Sequence, residues 1–338
     1  MATSAGAKSG RRAVRRKTKT KARTTPHIGL GNVIEARVAS GIPFFSFEFS
    51  AARDPEPADL FSRIRRMHKR EQPLWVDVTW GFGDVGRRSI AAARHVRKEI
   101  NARVLMHFIC TDKTTAELER HLQAARDAGV RSILALRGYT QAGFDSWQPC
   151  SDGDGTEPQH ADALVRFIKE RHEDFFSIGV AGFPEGHPES SGDLEADVQR
   201  LKGKIDAGAE FIICQFCFDP AVFAAFLGRC RTAGIKVPII PGVMPLTEYS
   251  TARLLSDTWG VSLPPSIEVE LRECEATCNH DRARSQGEDF TVDMCVELLS
   301  LEESSHALHF FVYDAEWEVT RILERLRKRG ALPQLPDC

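Results

Sequence analysis

The residue best placed to do acid–base chemistry is Glu48, a lone carboxylic acid between Phe47 and Phe49 in the run FFSFEF. A carboxylate in such apolar surroundings must be desolvated or paired. Desolvation favours the neutral form, so it raises the pKa and makes the group a candidate general acid near neutral pH. The competing interpretation is a structural salt bridge, with Arg137 as its candidate partner.

A second candidate site lies at Arg137-Gly138, where the apolar run ILAL ends. A run without alternation is typical of a strand that is covered on both faces. Glycine lets the backbone approach a ligand and arginine adds a cation, which suits a phosphate- or cofactor-binding loop. An ordinary exit from strand to loop would give the same pattern.

The segment VAGFPEGHPESSGDLEAD carries three further polar groups on one irregular loop and the helix after it. His187 offers an imidazole, Asp197 a carboxylate and Lys204 an ammonium group, a set that could grip a polar, extended cofactor. A purely structural loop is the alternative. His107, in LMHFIC, is likewise open to two interpretations, a satisfied core histidine or a site residue.

Eight apolar runs alternate with eight amphipathic stretches between residues 43 and 329. The predicted strands are 43–49, 74–80, 103–110, 131–138, 176–183, 211–218, 237–244 and 307–313. This pattern predicts an α/β fold of the (β/α)8 TIM-barrel type, with functional residues at the C-terminal ends of the strands. A doubly wound open sheet is the alternative, but no G-x-G-x-x-G turn supports it.

Composition limits the protein class. The 338 residues are 42% hydrophobic and 27% charged, a balance typical of a globular protein, and no run is apolar enough to predict a membrane span. Nine cysteines, several in strand-like runs, are expected to be reduced core residues. The whole-chain net charge is −2, yet residues 1–32 hold nine basic residues and no acid, so the remainder is acidic and argues against nucleic-acid binding.

We assign the barrel to residues 33–330, with a tail on each side and one insertion inside it. Residues 1–32 are predicted to be a disordered tail, interpreted as a solvated segment, an organelle-targeting peptide or a nucleic-acid patch. The cytoplasm is the expected compartment, with the mitochondrion as the alternative. Residues 331–338 form a short C-terminal tail. Residues 258–306 form an insertion with a helix near 290–301, and its trio Cys274, Cys278 and His280 is only a weak zinc signal, so no metal is predicted.

Seven motifs together resemble one family, methylenetetrahydrofolate reductase, in its catalytic-domain-only form. They are FFSFEF, WVDVTW, HFIC, ILALRG, VAGFPEGHPE, DVQRLKGKIDAGAEFIICQFCFD and IIPGVMP, and the resemblance covers roughly residues 43–330. It implies that FAD and either NADPH or NADH reduce 5,10-methylenetetrahydrofolate to 5-methyltetrahydrofolate. It also implies a folate-binding protein that forms a homo-oligomer or joins a larger assembly.

The resemblance implies a role for each matching residue. Glu48 falls on the general acid, and Gln215 and Phe218 fall on substrate-binding positions. The implied FAD-contacting positions are Thr79, His107, Arg137, Gly138, Tyr139, Ala181, Phe183, His187, Asp197 and Lys204.

Several residues depart from the family pattern. An aspartate beside the flavin is replaced by Tyr139, a tyrosine by Phe183, and an arginine on strand eight by Ala315. Leu255 and Thr251 stand where bacterial relatives have a phenylalanine and a glutamine that contact folate. The alternative function is therefore a catalytically weakened or inactive homologue that serves as a structural or regulatory subunit.

Overall fold

The structure is a computed structural model that describes residue 1 and residues 28–50, 57–80, 85–138, 157–190 and 192–335. Most of the predicted basic tail and Tyr139 lie outside these residues. Within the described part of the chain, no helix is both long and apolar enough to cross a membrane.

Eight parallel strands close into a barrel, which confirms the predicted fold. The circle is completed where β1 pairs with β8, with Ser46 opposite His309. The strands are β1 (Phe44–Phe49), β2 (Val76–Val78), β3 (Val104–Ile109), β4 (Ser132–Leu136), β5 (Ser177–Gly182), β6 (Phe211–Phe216), β7 (Ile239–Val243) and β8 (Ala307–Phe311).

Helices surround the barrel, and local capping signals set several of their ends. Thr114 and Glu117 form a reciprocal capping box at the start of α4, and Asp219 caps α7 ahead of a proline in its first turn. The helices are α1 (Leu30–Ala39), α2 (Pro57–Glu71), α3 (Val85–His95), α4 (Thr115–Asp127), α5 (Ala161–His172), α6 (Leu194–Asp206), α7 (Pro220–Thr232), α8 (Tyr249–Trp259), α9 (Pro265–Ala276), α10 (His280–Ser300) and α11 (Glu316–Lys328).

The strands divide their side chains between the barrel interior and the helix layer, because neighbouring residues point to opposite faces. On β1, Phe45 and Phe47 belong to the large cluster shared with the helices, whereas Phe44 joins the interior cluster. The residues Leu30 and Ile34 of α1 belong to the same interior cluster. Helix α1 therefore closes the end of the barrel opposite the strands' C-terminal ends.

Two helical regions differ from the sequence-based expectation. Helix α1 was not predicted, and it begins at Leu30, inside the span assigned to the tail. In the insertion 258–306 the predicted helix near 290–301 is present as the second half of α10, which begins ten residues earlier, and α9 was not predicted. The first turns of α10 are polar and contain Gly287, so their helical period is hard to see in the sequence.

The insertion packs against the ends of β6 and β8 through a separate apolar cluster. Cys274 is fully buried in that cluster, whereas Cys278 is exposed. The two thiols therefore lie in different surroundings, and burial among apolar side chains accounts for Cys274 without a metal.

Candidate active site

A cavity of about 760 Å³ opens at the C-terminal ends of the strands. Seven of the eight strands, or the residues that directly follow them, contribute to its wall, as does one face of α6. The volume lies within the range of roughly 300–1,000 Å³ that is usual for ligand and cofactor sites. This is the position at which barrels of this type carry their chemistry.

The cavity collects nearly all the residues that the sequence singled out. Tyr139 lies outside the described residues, and Phe218 does not line the cavity, because it is fully buried beside Phe216 in the cluster of the insertion. The predicted residues that line the cavity are Glu48, Thr79, His107, Arg137, Gly138, Ala181, Phe183, His187, Asp197, Lys204 and Gln215.

Glu48 lies at the base of the cavity between two imidazoles. Its Oε2 is 3.3 Å from His309 Nε2 and 3.5 Å from His107 Nε2. Glu48 is 7% exposed and His309 is fully buried. The alternative interpretation was a salt bridge between Glu48 and Arg137. It was wrong, because Arg137 pairs with Glu189.

Asp77 extends this hydrogen-bonded group below the cavity. Its Oδ2 is 3.2 Å from His107 Nε2, and its Oδ1 accepts a hydrogen bond from the indole N–H of Trp75. Ligand atoms of Glu48, Asp77 and His309 lie within 4.8 Å of one another, close enough for a cation. Each has a hydrogen-bonding partner, so the contacts are explained without an ion.

The expected rise in the pKa of Glu48 was wrong. Burial alone would raise this pKa, but the charge of His107 and the hydrogen bond from His309 outweigh it, so the pKa lies below its usual value. Burial would lower the pKa of His107, yet Glu48 and Asp77 raise it. Asp77, which is fully buried, has a raised pKa because desolvation dominates there.

Arg137 forms a bidentate ion pair at the wall of the cavity. Its two terminal nitrogens lie 2.6 and 2.7 Å from the carboxylate oxygens of Glu189. The hydrogen bonds and charge of Arg137 lower the pKa of Glu189 and outweigh burial, which would raise it. Gly138 follows with φ +89°, a left-handed conformation that favours glycine, so the exit from β4 is sharp.

The loop after β5 is fixed by its own hydrogen bonds. The backbone N–H of His187 donates to Asp197 Oδ2 at 2.7 Å, and Arg200 donates to the other oxygen of Asp197 at 2.8 Å. The ring of Phe183 meets the ring of His187 edge-on, with centroids 4.7 Å apart. Asp197 therefore orders the loop that forms one side of the cavity.

Lys204 provides a cationic group that has no close counter-ion among the described residues. Its Nζ donates to the carbonyl oxygen of Ala181 at 3.0 Å, and no carboxylate of the described residues lies within 4.0 Å of it. Desolvation lowers the pKa of Lys204 to about 8. A ligand anion next to this amine would stabilise its charged form.

Gly203 precedes Lys204 on the face of α6 that lines the cavity. A Cβ atom built there would meet no heavy atom within 4 Å, so the helix surface is open to a close ligand. An open backbone surface beside an ammonium group fits a large anionic cofactor such as a dinucleotide.

A family model described as methylenetetrahydrofolate reductase matches residues 33–327. The chain belongs to the methylenetetrahydrofolate reductase family. This membership confirms the resemblance seen in the motifs.

Two relatives illustrate the similarity. Methylenetetrahydrofolate reductase 2 of Saccharomyces cerevisiae is 35% identical over 295 residues, which cover 86% of this chain and 48% of the yeast protein. The 5,10-methylenetetrahydrofolate reductase of Salmonella typhimurium is 32% identical over 269 residues, covering 79% of this chain and 84% of the bacterial protein. The chain thus spans about half the length of the eukaryotic reductases it matches.

Among solved structures, an uncharacterized protein from Clostridium thermocellum that binds two copies of 5-methyl-5,6,7,8-tetrahydrofolic acid has the same fold. Its TM-score is 0.57 at 13% identity, over 88% of this chain and 99% of that one. At this identity the likeness concerns the barrel alone.

Sequence reasoning missed His309 as a site residue. It was visible only as the first residue of the motif HFF, inside a strand whose other residues are apolar. Its partner Glu48 is 261 positions away in the chain, so no local signal indicates the pair.

Proposed function

We propose that this protein reduces 5,10-methylenetetrahydrofolate to 5-methyltetrahydrofolate with FAD as its bound cofactor and NADPH or NADH as reductant. One observation carries the proposal: a single cavity contains the buried acid Glu48, the amide of Gln215 and the cations Arg137 and Lys204. An acid, a polar group for a heterocycle and cations for a diphosphate are what this reaction requires of the protein.

The residues of the chain divide the work by position. Lys204 and Arg137 would bind the diphosphate, and Gly203 leaves room for the cofactor against α6. When bound, FAD supplies the hydride transfer. Because its pKa is lowered, Glu48 is ionised in the free protein near neutral pH, so it would take up a proton before it donates one to the folate nitrogen that leaves the methylene bridge. Gln215 would orient the folate ring.

The proposal does not choose between NADPH and NADH as the reductant. Relatives carry names that specify NADPH in Caenorhabditis elegans, at 30% identity, and NADH in Arabidopsis thaliana, at 29%. Both nucleotides are therefore to be tested. The cytoplasmic or mitochondrial compartment and the homo-oligomeric state stay predictions.

The departures from the family pattern favour a second candidate, a catalytically weakened homologue that serves as a subunit of a larger assembly. Phe183 lines the cavity but lacks the hydroxyl of a tyrosine. Ala315 lies at the N-cap of α11 and brings no cation to the cavity. Tyr139 adds a phenol where the family has an acid.

The absorbance spectrum of the purified protein separates the two candidates. We expect a yellow protein whose flavin absorbance is bleached by NADPH or NADH and restored by methylenetetrahydrofolate in the absence of oxygen. A protein that neither retains flavin during purification nor binds added FAD would support the subunit function and end the reductase proposal.

Lys204 should make cofactor binding depend on pH. Because its pKa is about 8 in the free protein, the amine is charged at lower pH and loses its proton above that value. A bound diphosphate favours the charged form, so FAD affinity should be constant below about pH 7 and fall by up to about tenfold per unit above about pH 8. Fluorescence titration of the apoprotein with FAD measures this dependence.

Lys204→Arg is the matched control for that titration, since arginine stays charged over the whole range. Its FAD affinity should lack the decline above pH 8. An identical decline in both proteins would assign the effect to another group.

A further inference from the structure

The interior of the barrel contains a polar layer, formed by Ser46, Asp77, His107 and His309, between the apolar interior cluster and the cavity. Each of the four lies two positions after a residue of the interior apolar cluster, which is in the same strand or directly before it. Ser46, for example, follows Phe44. All four are less than 9% exposed, and Ser46, Asp77 and His309 are fully buried. Buried polar groups are costly unless they are satisfied, so a layer of four indicates a role.

His309 joins this layer to the acid. Its Nδ1 is 2.8 Å from Ser46 Oγ, and its Nε2 is 3.3 Å from Glu48 Oε2. A neutral ring that donates from Nε2 to the carboxyl can accept a hydrogen bond from the Ser46 hydroxyl at Nδ1, so the contact with Ser46 is compatible with the tautomer that donates to Glu48. The ring also meets Phe311 edge-on at 5.2 Å, which restricts its rotation.

Both imidazoles approach the same oxygen of Glu48. His309 Nε2 and His107 Nε2 contact Oε2, and no hydrogen-bond donor of the described residues contacts Oε1. When the carboxyl is neutral, an oxygen that accepts N–H donors is the carbonyl oxygen, so the proton is held on the other one. Glu48 lines the cavity, whereas His309 does not.

We propose that His309, anchored by Ser46, is a positioning residue that holds Glu48 Oε2 and thereby places the acid proton on Oε1, toward the substrate. The role rests on the proposed reductase function. The proton leaves Oε1 for the folate nitrogen, and the resulting carboxylate is held by the N–H group of His309 and by the charge of His107, whose Nε2 is hydrogen-bonded to Asp77, until it is reprotonated through the cavity. No redox step involves these residues.

Four titratable groups face one another here, namely Glu48 on β1, Asp77 on β2, His107 on β3 and His309 on β8. A donor to a carboxylate lowers the carboxylate's pKa, so loss of that donor must raise it. Removal of His309 should therefore raise the pKa of Glu48, an effect that loss of packing alone would not produce.

The test compares His309→Ala with His309→Gln, because the glutamine amide can still donate to Glu48 Oε2. Carboxyl ¹³C NMR of the apoprotein, with Glu48→Gln to assign the signal, gives the titration of Glu48. We expect the midpoint to rise by about one unit in His309→Ala and by less in His309→Gln. This measurement needs neither flavin nor turnover.

The second measurement is the pH profile of flavin reoxidation by methylenetetrahydrofolate. We expect His309→Ala to be slowed about tenfold or more with a shifted profile, His309→Gln to recover most of the rate, and bleaching by NADPH or NADH to be unchanged. His172→Gln is the matched control, since His172 is a buried histidine of α5, 5% exposed and outside the cavity lining. It should match the wild type.

Each outcome decides between proposals. If the titration midpoint of Glu48 in His309→Ala equals that of the wild type, the positioning role is wrong. If His309→Ala does not fold, Ser46→Ala takes its place in this test. Equal slowing of the Ala and Gln variants with an unmoved titration would also overturn the positioning role. A wild-type protein without flavin or turnover would remove the reductase function, while the apoprotein titration would still decide the contact between His309 and Glu48.

Discussion

Replacement of Glu48 by glutamine is expected to slow flavin reoxidation by methylenetetrahydrofolate by about 10²–10⁴-fold, the usual contribution of a general acid. Bleaching of the flavin by NADPH or NADH should change little, because hydride transfer to the flavin requires no proton from Glu48. Anaerobic stopped-flow absorbance measures the two half-reactions separately. The amide has the shape of the carboxyl group, so the hydrogen bonds to Oε2 can persist while the transferable proton is lost.

Glu288→Gln is the matched control for this experiment. Glu288 is also 7% exposed, but it lies on α10, is paired with Arg321 and does not line the cavity. Its two half-reactions should resemble those of the wild type. Normal reoxidation in Glu48→Gln with flavin bound would remove the acid role from Glu48 and would point to a proton source among the other polar groups of the cavity.

Gly287→Ala should be the most damaging small substitution in the insertion. A Cβ atom at Gly287 would lie 1.9 Å from the carbonyl oxygen of Leu246, a backbone atom that cannot swing away. Either α10 or the segment after β7 must shift, and overpacking of this kind lowers the free energy of unfolding by about 1–3 kcal/mol or more. Thermal unfolding followed by circular dichroism should show Tm lowered by several degrees, at roughly 2–4 °C per kcal/mol.

Gly228→Ala tests the same substitution where space is available. Gly228 is exposed on α7, and a Cβ atom there meets no heavy atom within 4 Å. Alanine should raise the free energy of unfolding by about 0.5–1 kcal/mol, because it is the better helix former. If Gly287→Ala were as well tolerated, the close approach of α10 to Leu246 would be wrong.

The two sets of variants address different parts of the protein. Gly287→Ala tests how the insertion packs beside the ends of β6 and β8. Phe216 of β6 and Phe311 of β8 belong to the apolar cluster of the insertion. Phe311 also lines the cavity and contacts His309. A loosened insertion should therefore also reduce the rate of the folate half-reaction.

Local sequence determined much of the barrel. Each strand is predicted by its own apolar run, and the start of a helix such as α4 is predicted by the capping residues Thr114 and Glu117. Such signals lie within a few residues of the element they specify. Helix α1 and the first turns of α10 were missed because packing against the barrel, more than a clear amphipathic period, fixes them.

The sequence by itself determined the eightfold barrel, its family, and the acid, amide and cations that line one cavity, because these follow from short motifs at strand ends. Only the tertiary structure decided which side chains these groups contact. Arg137 binds Glu189, 52 positions away, and Glu48 binds His309, 261 positions away, through the closure of β1 on β8. The direction of the pKa shift of Glu48 depends on those partners, since burial and two imidazoles oppose each other and only their geometry decides which prevails.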